Sequence, residues 1–215
     1  MCSKGLETFA KGSTMNELEN RLSEVPTDTW GSLRERLLEE AAGQDLLDLA
    51  YERHDSPFGT LLVVAGPRGI LRIALATEDE AEVLHDLAAR VSPRIGRVGQ
   101  SAIATARTQL DRYFDGRLRD FELPLDWQLT RGFRREVLKQ TVAIPYGSTA
   151  SYAEVANQAG NPRAVRAAGS ALATNPLPII IPCHRILRSD GTTGSYLGGS
   201  RMKEALLALE QGGAD

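Results

Sequence analysis

Two cysteines, three histidines and no long apolar run limit what this 215-residue chain can be. Cys2 and Cys183 cannot build a disulfide framework. His54 and His85 have no partners at ligand spacing, so each is expected to be a surface histidine and not a metal ligand. No stretch approaches the roughly 18 apolar residues that span a bilayer, which excludes a membrane protein. The first residues lack the apolar core of a signal peptide, which makes a reducing cytoplasm the expected setting.

Charge of one sign is also scarce. The net charge of -3 argues against a nucleic-acid partner until it is divided along the chain. Residues 131–205 carry ten Lys/Arg against four Asp/Glu, and residues 1–130 carry fifteen against twenty-two. The last third alone is therefore basic, and polyanion binding there stands beside an ordinary uneven surface as a reading.

Residues 1–48 are expected to be an acidic, partly helical or disordered extension, with Leu33, Leu37 and Leu38 at loose helical spacing, a break at Val25-Pro26, and Met15 as an alternative start. From Asp55 the character changes. Leu61–Ala65 and Ile70–Leu75 flank Gly66-Pro67-Arg68-Gly69 and read as a β-hairpin. Leu84, Leu87, Ala88 and Val91, then Ile103, Ala106, Leu110 and Phe114, recur at helical spacing, and Phe121–Leu125 reads as a further short strand. Residues 49–130 thus form a small α/β domain, with Asp126–Gly132 as the linker.

Residues 131–211 read as helical. Phe133, Val137 and Leu138 open a helix that Ile144-Pro145 ends. Ser151 and Glu154 form a capping box for a short helix bearing Tyr152, Val155, Ala156 and Ala159 on one face. Gly160 suits its end, Asn161 with Pro162 can cap a second helix, and Asn175-Pro176 closes it. Two helices so tightly joined read as a helix-turn-helix. On the second, Val165, Ala168, Gly169 and Leu172 form a core stripe. Arg163, Arg166, Ala167 and Ser170 lie opposite, a small basic face that can approach a phosphate backbone. Residues 212–215 are expected to be a disordered tail.

Ile179-Ile180-Ile181 reads as a buried extended segment delivering Pro182-Cys183-His184-Arg185. A lone cysteine is usually a small buried hydrophobe, but His184, Arg185 and Arg188 supply the electropositive setting that favours a thiolate. On an extended chain His184 faces away from Cys183, so a water would link them. Glu210 is a candidate to orient His184, against the alternative of a solvated glutamate ending a helix with core face Met202, Ala205, Leu206 and Leu209. Gly191–Gly199 lacks the ending of a phosphate loop and reads as a pocket-forming loop.

The ordered set GSTASYAEVA, GNPRAVRAAGSA, NPLPIIIPCHRI, GSYLGG and KEALLALE, preceded by Asp55-Ser56-Pro57-Phe58-Gly59, resembles the O6-alkylguanine-DNA alkyltransferases, or methylated-DNA-protein-cysteine methyltransferases. The resemblance runs from about Asp55 to Glu210. It implies an α/β N-terminal domain with a small β-sheet, followed by an all-α C-terminal domain containing a winged helix-turn-helix. It implies direct-reversal repair: O6-alkylguanine, and also O4-alkylthymine, is flipped from duplex DNA, and the alkyl group passes irreversibly to Cys183 in a single turnover.

In that resemblance Cys183 is the nucleophile and acceptor, His184 a water-linked base, Glu210 its orienting partner, and Asn175 a structural hinge. Tyr152 is a proton or hydrogen-bond donor that helps flip the nucleotide, and Arg166 an intercalating finger. Arg163, Ala167, Ser170 and Ser189 join them at the DNA. Leu172, Pro178, Ile186, Ser195, Tyr196 and Leu197 line the substrate pocket, Leu197 replacing a hydroxyl residue of some relatives. The implied partner is double-stranded DNA met in the minor groove by a cytoplasmic monomer without cofactor or metal; some relatives' N-terminal zinc site has no counterpart. Competing readings are a non-enzymatic lesion binder, which Cys183 argues against, a regulator using sequence readout, and a cysteine hydrolase.

Overall fold

The computed structural model describes residues 31–33, 36–38, 40–41 and 46–212. Contacts divide the chain into two compact units, 1–44 and 45–215. The described residues of the first are helical. The break at Val25-Pro26, the alternative start at Met15, Cys2 and the tail residues 213–215 lie outside the described residues.

The second unit opens with a four-stranded sheet in the order β3-β2-β1-β4. Strands β1 (Leu49–Ser56), β2 (Gly59–Gly66) and β3 (Gly69–Ala74) are antiparallel neighbours, and β4 (Ile95–Gly96) runs parallel to β1. Helix α1 (Glu80–Arg90) starts where Asp79 accepts a hydrogen bond from the Glu82 N–H. Its Leu87 joins Leu49, Leu62, Val64, Leu71 and Ala74 in one core cluster. Alternation along β2 sends Leu61 and Val63 the other way, and the register shift at Val64/Ala65 brings both Ile70 and Ile73 to that face; His54, paired with Leu61, is buried and not a surface histidine. On that face α2 (Ser101–Phe114) packs against β1, β2 and β3, burying Ile103, Ala106, Leu110 and Tyr113. Covered on both faces, β2 reads as a continuous apolar run, whereas β1 (LAYERHDS) is masked by its charged residues.

Phe121–Leu125 is not a strand. Pro124 has no N–H to donate, and the segment makes one bridge: Ile70 N–H donates to the Pro124 carbonyl at 2.8 Å and Asp126 N–H to the Ile70 carbonyl at 2.8 Å. The stretch Asp126–Gly132 is fixed rather than slack. Buried Asp126 caps a 3-10 turn at Trp127–Leu129, and the Arg135 guanidinium donates to the carbonyls of Trp127 and Thr130.

Helices α3 (Gly132–Val142), α4 (Tyr152–Gln158), α5 (Val165–Ala173) and α6 (Gly199–Gly212) build the rest. The all-α expectation holds for its mass, but β5 (Ala150–Ser151) and β6 (Ile186–Leu187) pair in parallel beside the helices. The Ser151–Glu154 capping box is complete at the start of α4. At its end Gly160, at φ +86°, lets its N–H reach the Asn157 carbonyl and the Asn161 N–H reach Ala156, a paired C-terminal closure. Asn161 does not cap α5. The Ala164 N–H turns back to the Asn161 carbonyl, and the nine-residue helix begins at Val165. Gly212, expected in a disordered tail, closes α6.

Candidate active site around a buried thiol

The segment from α5 to Cys183 is tethered to the sheet. The Ile73 N–H donates to the Pro176 carbonyl at 2.9 Å, and the Arg72 guanidinium, held by Glu78, reaches the carbonyls of Asn175 and Pro176 at 3.4 and 3.2 Å. The isoleucine run is not extended. Ile179 takes φ +74°, a conformation that costs a β-branched residue on the order of 1–3 kcal/mol. The Ile181 N–H closes onto the Leu177 carbonyl at 2.8 Å. Cys183–Arg185 then form one 3-10 turn, so successive side chains diverge by about 120° instead of alternating.

Asn175, 1% exposed, is spent on this turn. Its Nδ2 donates to the Ile181 carbonyl at 2.9 Å and to Cys183 Sγ at 3.1 Å, and its Oδ1 accepts from the Leu177 N–H at 3.0 Å. The electropositive setting expected from Arg185 and Arg188 is not what surrounds the thiol. Burial dominates and pushes Cys183 up to about 11, against the Asn175 hydrogen bond and the charge of Lys203. Lys203 is fully buried, and its Nζ donates to the Ile186 carbonyl at 2.5 Å. The expected core face of α6 holds at Met202 and Leu206 but is rotated towards Lys203 and Glu210, which an apolar pattern does not reveal. The buried positions are Met202, Lys203, Leu206 and Glu210, with Ala205 exposed and Leu209 half-buried. Lys203, Leu206 and Glu210 stand at i, i+3 and i+7, a stripe with a charge at each end that the sequence did display.

Glu210 is 1% exposed and is not solvated. Its Oε1 meets His184 Nε2 at 2.9 Å, Tyr113 Oη at 2.7 Å and Arg185 Nη2 at 2.9 Å. Its Oε2 accepts from Arg185 Nε at 2.8 Å and from the Gly147 N–H at 3.1 Å. Burial alone would raise this carboxyl, but the hydrogen bonds from His184, Arg185 and Tyr113 outweigh it and hold it at about 2. An ionised carboxylate only accepts, so His184 carries its proton on Nε2. Burial also lowers His184 and keeps the ring neutral, against the pull of Glu210. Its Nδ1 is buried with no hydrogen-bond partner among the described residues. Arg185, expected to polarise the thiol, is committed to Glu210 and to the Ile144 carbonyl at 2.5 Å.

A cavity of about 690 Å³ opens between α5 and the 188–195 loop, lined by Tyr152, Arg166, Ser170, Arg188, Ser189 and Ser195 among others; Cys183 does not line it, and Tyr152, which feels the charge of Cys183, connects the two. Arg166, Ala167 and Ser170 are exposed on α5, and Arg163 is exposed in the preceding turn. Burial raises the Tyr152 phenol, while Arg188 lowers it and Cys183 raises it further. Gly194 is required here, since a Cβ would stand 2.3 Å from Tyr152 Oη. Of the six substrate-pocket candidates Ser195 lines this opening. Leu172, Pro178 and Ile186 are buried, and Leu197 lines a separate cavity of about 510 Å³ beside Arg72, Arg134 and Asn175. Tyr196 is half-buried, its hydroxyl enclosed without a hydrogen-bond partner among the described residues. Among the described residues no cluster of His, Cys, Asp or Glu is arranged to hold a metal ion, and no helix is long and apolar enough to cross a membrane.

A family model described as 6-O-methylguanine DNA methyltransferase, DNA binding domain, matches residues 132–212, and one described as 6-O-methylguanine DNA methyltransferase, ribonuclease-like domain, matches residues 49–127. The chain is 36% identical over 162 residues to the methylated-DNA-protein-cysteine methyltransferase of Methanosarcina barkeri, covering 75% of this chain and 96% of that protein. It is 39% identical over 161 residues to the protein of the same name from Mycobacterium tuberculosis, covering 75% and 92%. Among solved structures it is similar to the M. tuberculosis O6-methylguanine methyltransferase, with a TM-score of 0.65 at 35% identity over 78% of this chain and 95% of that one. M. tuberculosis OGT in complex with DNA matches with a TM-score of 0.65 at 35% identity over 77% and 94%.

Proposed function

The chain belongs to the 6-O-methylguanine DNA methyltransferase family, and on that premise we propose how its own residues carry out alkyl transfer. It is a methylated-DNA-protein-cysteine methyltransferase that binds DNA and repairs alkylated bases by direct reversal. The observation that carries the residue assignment is the joint burial of Cys183 under the Asn175 amide and of His184 against Glu210, next to a basic, tyrosine-lined opening.

Residues 49–130 form the α/β domain, 131–211 the alkyl-acceptor domain, and 1–48 an appended segment. Helices α4 and α5 are the helix-turn-helix, and the 186–195 loop is its wing. The small face of α5 enters the minor groove of duplex DNA as a monomer. Arg166 fills the gap left by the extruded nucleotide while Tyr152 holds its phosphate side, and Arg163, Ala167, Ser170 and Ser189 lie along the backbone. An alkylated base pair is weakened and so costs less to open.

At rest Cys183 is a thiol. His184 Nδ1 takes its proton through a water, with the charge that develops on the ring stabilised by Glu210. The Cys183 sulfur attacks the alkyl carbon, a C–S bond forms as the C–O6 bond breaks, and the electron pair leaves on the purine oxygen. Tyr152 gives a proton to the leaving purine and recovers one from His184 through solvent, so that in all the thiol proton passes to the neutral guanine. O4-alkylthymine presents the same carbon–oxygen bond and reacts likewise. The thioether is a poor leaving group, so each molecule reacts once. No cofactor enters this balance, and the setting is the reducing cytoplasm.

Nucleoside analysis of a duplex carrying O6-methylguanine tests this reading. The modified nucleoside should disappear as deoxyguanosine appears in equal amount; release of a free base or strand cleavage would refute it.

A further inference from the structure

Tyr113 lies in the last turn of α2, seventy-one residues before His184, and has no exposed surface. Its ring sits among Phe114, Phe121 and Tyr146, with centroids 5.6, 5.3 and 6.2 Å away. Its hydroxyl donates to Glu210 Oε1 at 2.7 Å, the atom that also receives His184 Nε2 and Arg185 Nη2. With the Nε2 proton directed at Glu210, the 3.4 Å approach of Tyr113 Oη is a long, secondary acceptor contact to the same N–H.

We propose that Tyr113 is a positioning residue that sets the basicity of His184 by sharing the Glu210 oxygen with it. A carboxylate offers about four lone-pair sites, and Glu210 receives five donors, three of them on Oε1. Each donor draws charge from the oxygen and weakens its hold on a proton at His184. Tyr113 is suited to this work because burial and the charge of Glu210 keep its phenol protonated. Among the described residues it is the one donor to Glu210 supplied by residues 49–130, so the sheet domain completes the site. The other groups facing the pair are Arg185 on its own turn, Lys203 on α6, and Cys183, Tyr146 and Tyr196. A phenylalanine at 113 leaves all of these and the ring packing in place.

The inference rests on His184 acting as the base, and the test separates the two. Single-turnover methyl transfer is followed from about pH 5 to pH 9 in the full chain. Tyr113→Phe should move the acid limb upward by roughly half to one pH unit, the worth of one hydrogen bond. Transfer on the acid side then falls about three- to tenfold while the alkaline plateau stays within about twofold. Replacing Tyr113 by 3-fluorotyrosine, a stronger donor, should move the limb downward, which covers the case in which Tyr113→Phe does not fold. An unmoved limb, or one moved downward by Tyr113→Phe or upward by 3-fluorotyrosine, overturns the role of Tyr113. If His184→Gln keeps the original limb, the assignment of His184 as base is what fails.

Discussion

The Asn175 amide donates to Cys183 Sγ at 3.1 Å while the same nitrogen holds the Ile181 carbonyl at 2.9 Å. One side chain thus shapes the turn that presents the thiol and supplies a donor to the thiolate that the turn must release. Asn175→Ala removes three buried hydrogen bonds and is expected to cost on the order of 1–3 kcal/mol, read as a lower urea midpoint. Asn175→Asp keeps the shape but sets a carboxylate against sulfur, so alkyl transfer should fall further than with alanine. Equal transfer rates in the two variants would contradict a role for the amide at sulfur.

A thiol raised to about 11 by burial is a poor nucleophile near neutrality. With Cys2 replaced by serine, iodoacetamide should label Cys183 slowly near pH 7 and about tenfold faster per pH unit above it, as measured by intact mass. Lys203→Met removes the buried cation and should slow labelling further. Rapid labelling at neutral pH would contradict a thiol kept protonated by burial.

The pH dependence of stability has a definite sign. Glu210 is held at about 2, below its unfolded value of about 4.3, so it contributes stability above that value and loses it as pH falls towards 2. His184 is also lowered by burial, so below about pH 6.5 the unfolded chain takes up a proton that the folded chain resists. Urea midpoints should therefore drop from pH 7 to 5 and again below about 4. Near pH 7 Glu210→Gln should cost about 3–5 kcal/mol by stranding Arg185, a gap that narrows in acid.

Arg166 is exposed and lines the opening together with Tyr152 and Arg188. Arg166→Ala should slow repair of duplex DNA by roughly tenfold or more, since unstacking costs a few kcal/mol, and change the slow reaction with free O6-methylguanine base by less than about twofold. Equal losses on both would refute a part in nucleotide flipping.

The local signals that survived folding were those with a mechanism attached. The Ser151–Glu154 box and the Gly160 ending were legible because capping chemistry is short-range. The two faces of α5 could be read from spacing alone. Strand β1 was hidden because its charged residues break the apolar alternation, and β4 because two residues carry no pattern. The Ile179–Ile181 run reads as a strand by propensity, yet Asn175 and the tether to β3 impose a turn with a left-handed isoleucine. Nothing local marks Tyr113, since its partner lies ninety-seven residues away. Arg185 adjoins Cys183 in the chain, and its length lets it serve Glu210 instead.

The most direct measurement of the central assignment is the intact mass of the protein after incubation with an excess of duplex oligonucleotide bearing O6-methylguanine. The mass should rise by one methyl group, the adduct should map to Cys183, and the reaction should stop at one equivalent. Unchanged mass despite DNA binding, an adduct on another residue, or repair continuing beyond one equivalent would contradict it.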